Sequence, residues 1–218
     1  LVGANPDADP AGKAGHGTAM ASLIAGRAVG VDGVAPGVSL LSIRALADTG
    51  TGDSFTLAHA IVTAVDEGAR VVNISAGTGG DSVALRHAIA YAAANDVLLV
   101  AAAGNEGRDR LIYPAAYDTV VSVGAVDASE RILAVSNRGD GLDLAAPGYG
   151  VRAAWGDNEV AEVAGTSVAA PFVAGAAAAI RADETELSAA DVARLLRDHA
   201  DDTGAPGSDP VFGSGVLN

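Results

Sequence analysis

An α/β fold is predicted for this chain: a three-layer α/β/α sandwich on a mostly parallel central sheet. Three observations predict it. Strand-like and helix-like stretches alternate through the first hundred residues, the pattern of a parallel sheet covered on both faces. The apolar run at 97–103 is continuous rather than alternating, as in a strand buried on both sides. A long stretch of small apolar residues, Val168 to Ile180, carries no charge before Arg181 and reads as a helix buried all round.

Taken in order, residues 1–15 are polar and rich in Gly and Pro, with Asn5-Pro6-Asp7 and Asp9-Pro10 as turns. Residues 15–26 read as a turn entering a short helix of small residues. A turn at 33–37 leads to a predicted strand over 38–46, rich in Val, Leu and Ile. A loop at 47–53 precedes a helix over 54–68 with a Gly stop. A buried strand follows at 69–74, a helix at 81–95 and the strand at 97–103. The second half gives a strand at 119–126, shorter strands at 132–135 and 142–145, and another at 151–155. The small-residue helix is expected to start at Ser167, and a terminal helix runs over 188–199. No internal repeat or low-complexity linker interrupts the chain, so residues 1–218 are expected to form one domain.

Composition excludes several functions. The 218 residues carry a formal net charge of -14, which argues against nucleic acid and anionic membranes as partners. No apolar run reaches the length of a membrane span. Leu1 to Asn5 lacks the basic start and apolar segment of a signal peptide. With no Cys there is neither disulfide nor thiolate chemistry, and four His make a His-rich metal site unlikely on numbers alone.

Three positions lie where strands end and loops enter helices, the usual place for a site in an open α/β sheet. His16 sits between Gly15 and Gly17. Asn105 follows the apolar strand in Ala102-Ala103-Gly104-Asn105-Glu106-Gly107. Ser167 lies in Gly165-Thr166-Ser167-Val168-Ala169-Ala170-Pro171. A serine is a weak nucleophile until a base takes its proton, and His is the usual base. An Asn amide and the free N–H groups of a helix start can hold an oxyanion. Singly, each has a plainer reading: an exposed turn His, a turn Asn, a helix-capping Ser.

Together, Gly15-His16-Gly17-Thr18, Ala102-Ala103-Gly104-Asn105 and Gly165-Thr166-Ser167-Val168-Ala169-Ala170-Pro171 resemble the three signature blocks of the subtilisin-like serine proteases. Val72-Asn73-Ile74-Ser75-Ala76-Gly77, Tyr113-Pro114, Val121-Ser122-Val123-Gly124-Ala125, Ala146-Pro147-Gly148 and the closing Gly213 to Asn218 extend the likeness over almost the whole chain. The resemblance implies a secreted endopeptidase with Ser167 as nucleophile, His16 as general base, and Asn105 with the Ser167 N–H as oxyanion hole. It implies that Ser75, Ala76 and Gly77 pair with an extended polypeptide substrate, with residues 46–52 as the facing wall. Ala103, Gly104 and Ile112 would border the first specificity pocket. Ile112 implies a shallow pocket for small or medium apolar side chains, and Glu106 on its rim would draw basic ones.

The family order is Asp, His, Ser. None of the fifteen residues before His16 reads as a strand ending in that Asp, and Leu1-Val2-Gly3-Ala4 is similar to the stretch that follows it. The catalytic Asp is therefore expected upstream, on an N-terminal segment or propeptide absent from this sequence. Asp48 and Asp202, each in Asp-Thr-Gly, and Asp7 and Asp9 are poor substitutes by position. The loop 28–34 matches a region that often carries calcium in the family but offers only Asp32, so no cofactor is expected. A catalytically impaired, peptide-binding relative and a peptide-ligating or macrocyclising one are the alternatives. An α/β-hydrolase is disfavoured, because the block is not Gly-x-Ser-x-Gly and His precedes Ser.

Overall fold

The apolar runs that predict buried strands become a six-stranded parallel sheet. The computed structural model describes residues 2–4, 15–28, 30–47, 50–156 and 159–218. The sheet contains β1 (Val2–Ala4), β4 (Ile43–Leu46), β5 (Val71–Ile74), β6 (Leu98–Ala102), β7 (Val120–Val126) and β8 (Leu144–Pro147), in the order β4-β1-β5-β6-β7-β8. Two hairpins stand apart from it: β2 (Arg27–Ala28) with β3 (Val31–Asp32), and β9 (Val151–Trp155) with β10 (Glu159–Val163).

Helices cover both faces because the central strands are apolar on both. Leu99 and Ala101 of β6 face α2 (Ser54–Asp66) and α3 (Val83–Ala94) in one core. Their neighbours Leu98, Val100 and Ala102 face α4 (Thr166–Asp183) and α5 (Ala189–Asp198) in the other. Side chains alternate across a strand, so one run of five supplies two layers. The fifth helix, α1 (His16–Ala25), packs against α4, and Ala19, Met20 and Leu23 share a small core with Val168. The helix starts follow local chemistry. Asp53 accepts from the Thr56 N–H at 2.7 Å to cap α2, and Ser188 with Asp191 forms a reciprocal capping box on α5.

The three-layer α/β/α fold is as the sequence predicts, but four local readings change. The strand expected over 38–46 is only Ile43–Leu46, and Leu40 and Leu41 are exposed. Within the described residues β1 aligns with Ile43, Arg44 and Leu46 of this strand. Residues 132–135 form no strand; a single bridge joins Ile132 to Val126, and Leu133 N–H closes onto Ala125 O. Leu1 to Ala4 is expected outside any strand, yet Val2–Ala4 lies in the sheet between β4 and β5. Finally, β10 pairs with β9, and the alternating Glu-Val-Ala-Glu-Val of 159–163 is the signal for it.

Between the residues leading into β4 and the start of β5 lies a cavity of about 360 Å³. Its walls include Ile24, Leu40, Leu41, Asn73, Ala174 and Arg181. Two buried polar atoms on these walls have no hydrogen-bond partner, Asn73 Oδ1 and Arg181 Nε. The rest of the Arg181 guanidinium is engaged: it pairs with Asp96 and donates to the Arg70 and Asp96 carbonyls.

Leu144 is fully buried on the α4 side of the sheet. Leu144→Ala is expected to lower unfolding stability by about 2–5 kcal/mol, the range for emptying such a site. Urea denaturation checks it; a loss under about 1 kcal/mol would mean that this core is loosely packed.

Candidate active site

The site forms where β5 and β6 end and α4 begins. Gly165 precedes α4, Thr166 is its first residue and Ser167 its second. The plain reading of Ser167 as a cap is therefore excluded: no side chain caps this helix, and the Ser167 hydroxyl lies 3.4 Å from Ser75 O. In the first turn the Val168 and Ala169 N–H groups both turn to Gly165 O, at 3.0 and 3.3 Å, and the positive end of an 18-residue helix dipole lies here. Thr166 and Val168 to Pro171 are buried, which fixes this end of α4 against the sheet.

Thr166 organises the neighbourhood. Its N–H donates to Asn105 Oδ1 at 2.9 Å and its hydroxyl donates to the same oxygen at 3.1 Å. The hydroxyl oxygen accepts from the Gly104 N–H at 3.2 Å. A backbone N–H can only donate, so the Asn105 atom facing it is the oxygen. That leaves the Asn105 NH₂ on the other side, turned out of this cluster on an exposed residue. Gly165 has φ +123°, and a Cβ there would lie 3.1 Å from Asn105 Oδ1. Only glycine combines that backbone with this close approach.

Ser75 ties the end of β5 to the same helix start. Its hydroxyl donates to Ser167 O at 2.8 Å and accepts from Asn73 Nδ2 at 3.0 Å. Ser75 is buried, Ala76 half-buried and Gly77 exposed, so the chain rises out of the sheet along this stretch. Thr78 and Tyr113 exchange two 2.8 Å backbone bonds, which bring Ile112 alongside Gly77. A Cβ on Gly77 would lie 2.5 Å from Ile112 Cδ1. The Ile112 N–H donates to Ala103 O at 3.1 Å, which joins Ile112 and Gly77 to the end of β6. Among the facing residues 46–52, the Ala47 N–H donates to Thr51 O at 2.8 Å; Asp48 and Thr49 lie outside the described residues.

His16 is the first residue of α1, with the Trp155 indole of β9 against the preceding Gly15. Its helix reaches the start of α4 through the contact of Ala19 and Met20 with Val168. Among the described residues no hydrogen bond joins His16 to Ser167, and the buried Nδ1 of His16 has no partner. Burial pushes the imidazole below its ordinary value near 6.5, because a charged ring there loses water and gains nothing in return. Asp7, Asp9 and Asp48 lie outside the described residues. Asp202 belongs to the C-terminal loop, where its carboxylate accepts from the Gly207 N–H at 2.9 Å. Among the described residues no three acidic or His side chains converge as a metal site, and Asp32 is exposed on β3.

The sequence overlooks two residues. Thr166 stands beside the predicted nucleophile, yet its role depends on a segment sixty residues away. Asn137, fully buried, bonds to both sides of Asn105. A lone Asn in a largely apolar stretch is its only signal.

Two outcomes follow. Thr166→Val leaves the buried Gly104 N–H without an acceptor, so stability is expected to fall by about 1–3 kcal/mol in urea; no loss would mean that water replaces the hydroxyl. The His16 Hε1 resonance is expected to titrate below pH 6.5. As pH falls through that value the unfolded chain takes up the proton first, so His16 erodes stability on the acid side and has no effect above it. A midpoint above 6.5 would show an anionic partner at Nδ1.

Comparison with known proteins agrees with this geometry. Residues 3–215 match the Peptidase S8 subtilase family. Subtilisin DY of Bacillus licheniformis is 38% identical over 210 residues, covering 94% of this chain and 76% of that protein. Subtilisin Savinase of Lederbergia lenta is 36% identical over 206 residues, with the same two shares of 94% and 76%. The alkaline protease of Alkalihalobacillus alcalophilus is also 36% identical over 206 residues, but the chain spans only 53% of it. A mutant of the protease domain of PatA superposes with a TM-score of 0.88 at 33% identity, over 100% of this chain and 83% of that one. The prenylagaramide maturation protease PagA gives 0.85 at 33%, over 93% and 79%. With its sheet, its site blocks and these relatives in agreement, the chain belongs to the subtilase family of serine proteases.

Proposed function

We propose that this chain is the catalytic domain of a serine endopeptidase that cleaves extended polypeptides through an acyl-enzyme on Ser167. The observation that carries this is the fixed orientation of Asn105. Its oxygen is held by Thr166, at the start of the helix that bears Ser167 one residue later. The amide NH₂ is thereby turned away from Thr166, and in this reading it serves with the Ser167 N–H as a pair of donors for an oxyanion. A side chain used only for structure would gain most by spending both ends.

His16 is the general base in this reading. Its neutral state, favoured by burial, is the state that can take the Ser167 proton. The proton returns to the leaving amine, and water then cleaves the acyl-enzyme by the same route. Among the described residues no acid orients His16 at Nδ1. We assign that role to a carboxylate on a segment lying against residues 38–41 and the start of β5, where the 360 Å³ cavity and the unpartnered Asn73 Oδ1 and Arg181 Nε leave room and polar partners for it. Its absence would reduce turnover by roughly 10⁴, the order known for subtilisin-type and related triads.

The substrate strand adds along Ser75, Ala76 and Gly77. Ile112, pressed against Gly77, favours small or medium apolar side chains. Glu106 spends one carboxylate oxygen on Asn137 Nδ2 and so contributes less to basic specificity than its position suggests. An extracytoplasmic location fits the alkaline proteases among its relatives. No helix among the described residues is long and apolar enough to cross a membrane. Hydrolysis is favoured over ligation by the subtilisins and proteases among the relatives, and PagA, a maturation protease, keeps the processing of a peptide product as the second reading.

Active-site labelling with a fluorophosphonate, located by peptide mapping, tests the reading on this chain and on an N-terminally extended form. Labelling at Ser167, faster in the extended form, is expected. Labelling in neither form would make this a peptide-binding relative without catalysis. In the labelled form, Asn105→Ala is expected to lower kcat by about 10²–10³, a figure known from a subtilisin donor, with little change in KM. An equal loss in both forms of a substrate's binding and turnover would place Asn105 outside the oxyanion site.

A further inference from the structure

We propose that Asn137 is a positioning residue for the oxyanion donor Asn105, acting on the loop that carries it without touching substrate. The proposal rests on the endopeptidase reading above. Asn137 is fully buried in the loop between β7 and β8. Its Oδ1 accepts from the Glu106 N–H at 3.2 Å and from the Arg108 N–H at 2.9 Å. Its Nδ2 donates to Ala103 O at 3.2 Å and to Glu106 Oε2 at 2.7 Å. Its own N–H donates to Gly104 O at 2.9 Å. The partners therefore lie on both sides of Asn105, which is itself left exposed.

The carboxamide is used to capacity on this loop: two acceptor sites and two N–H donors, each engaged. Asp offers no donor to Ala103 O, and Leu or Ala offers nothing. Gly104 is shaped to the contact. It has φ +112°, and a Cβ there would lie 2.2 Å from Asn137 Nδ2. The loop needs this help because residues 104–108 have left the ladder, whose last bond here runs from the Ala103 N–H to Val123 O of β7. Asn137 takes the place of a strand edge at the one point where the chain must turn Asn105 outward.

The division of labour is clear from the contacts. Thr166 fixes the Asn105 side chain, and Asn137 fixes the backbone on which it stands. Backbone bonds from the Gly107 N–H to Val135 O and from the Arg138 N–H to Arg108 O do not involve the Asn137 side chain. They keep the loop attached when that side chain is lost, so the defect is one of position rather than of folding. A donor that has drifted still admits substrate but meets the oxyanion poorly, which affects turnover before binding.

The test uses the ¹⁵N-labelled chain and the form that fluorophosphonate labels. The readouts are the Asn105 side-chain amide resonances, assigned by their loss in Asn105→Ala, and kcat and KM for a peptide substrate. In Asn137→Ala the Asn105 resonances are expected to shift or broaden, and kcat to fall by about 10²-fold, the order for a misplacement near 1 Å. KM stays within about threefold, since ground-state contacts are left intact. Asn137→Asp keeps the acceptor for the Glu106 and Arg108 N–H groups but sets a carboxylate against Glu106. Adding Glu106→Gln restores a donor to that pair. The double variant is expected to recover the Asn105 resonances and at least tenfold of the lost kcat, a rescue that non-specific damage would not give. Unchanged Asn105 resonances in Asn137→Ala, or no rescue in the double variant, overturn the proposal. Should Asn137→Ala not fold, the Asp variant and its rescue decide. Absence of labelling in every form counts against the endopeptidase reading alone, because the resonances still report the position of Asn105.

Discussion

The hydrogen bonds of Thr166 hold the site together. One residue receives the Gly104 N–H, gives its own N–H and its hydroxyl to Asn105 Oδ1, and begins the helix that presents Ser167. Three groups that the chain separates by sixty residues become one rigid cluster. It is buried on the protein side, where a hydrogen bond is electrostatically stronger and an unmade one is costly. On the solvent side the Asn105 NH₂ is turned away from Thr166, and Ser167 follows as the second residue of the helix.

Around that cluster, neighbouring elements are tied by single polar residues. Ser75 joins β5 to Ser167 O, Asn73 joins Ser75, and Asn137 holds the loop that follows β6. Each of these side chains does what a strand neighbour does elsewhere, at a point where the sheet ends and backbone groups need partners. Small residues at Gly77, Gly104 and Gly165 allow the segments to approach within contact distance. The apolar sheet fixes the heights of the strand ends, and the polar links fix their angles.

His16 contrasts with the rest. Asn105, Ser75 and Asn137 are each held by two or more bonds, whereas the buried Nδ1 of His16 has none. Among the described residues its neighbourhood is set by packing: Trp155 against Gly15, and the α1 core against Val168. An imidazole placed this way has the right neutral state and a weakly specified tautomer. Within the described residues the Asn105 side of the site is tied by hydrogen bonds and the His16 side is not. The cavity between the residues leading into β4 and the start of β5 carries two further buried polar atoms without a described partner.

By itself the sequence determined the architecture and the family, and it named the candidates for the site. A continuous apolar run at 97–103 can be buried only as a two-faced strand. The small-residue stretch after Ser167 can be only a central helix, and His16, Asn105 and Ser167 stand at ends of elements in an order few folds share. What only the tertiary structure decided was pairing. The run at 38–46 has strand composition throughout, and strand is formed at Ile43–Leu46, where β1 lies alongside, because strand is a property of a neighbour as much as of a residue. Residues 132–135 fail for the same reason. Thr166 and Asn137 were unreadable as partners of the Asn105 loop because hydrogen bonds between distant segments depend on the register of the sheet, which composition does not encode. Ser167 was named from its block, but its freedom from capping, which leaves its hydroxyl available for chemistry, follows from where α4 begins against β5 and β6.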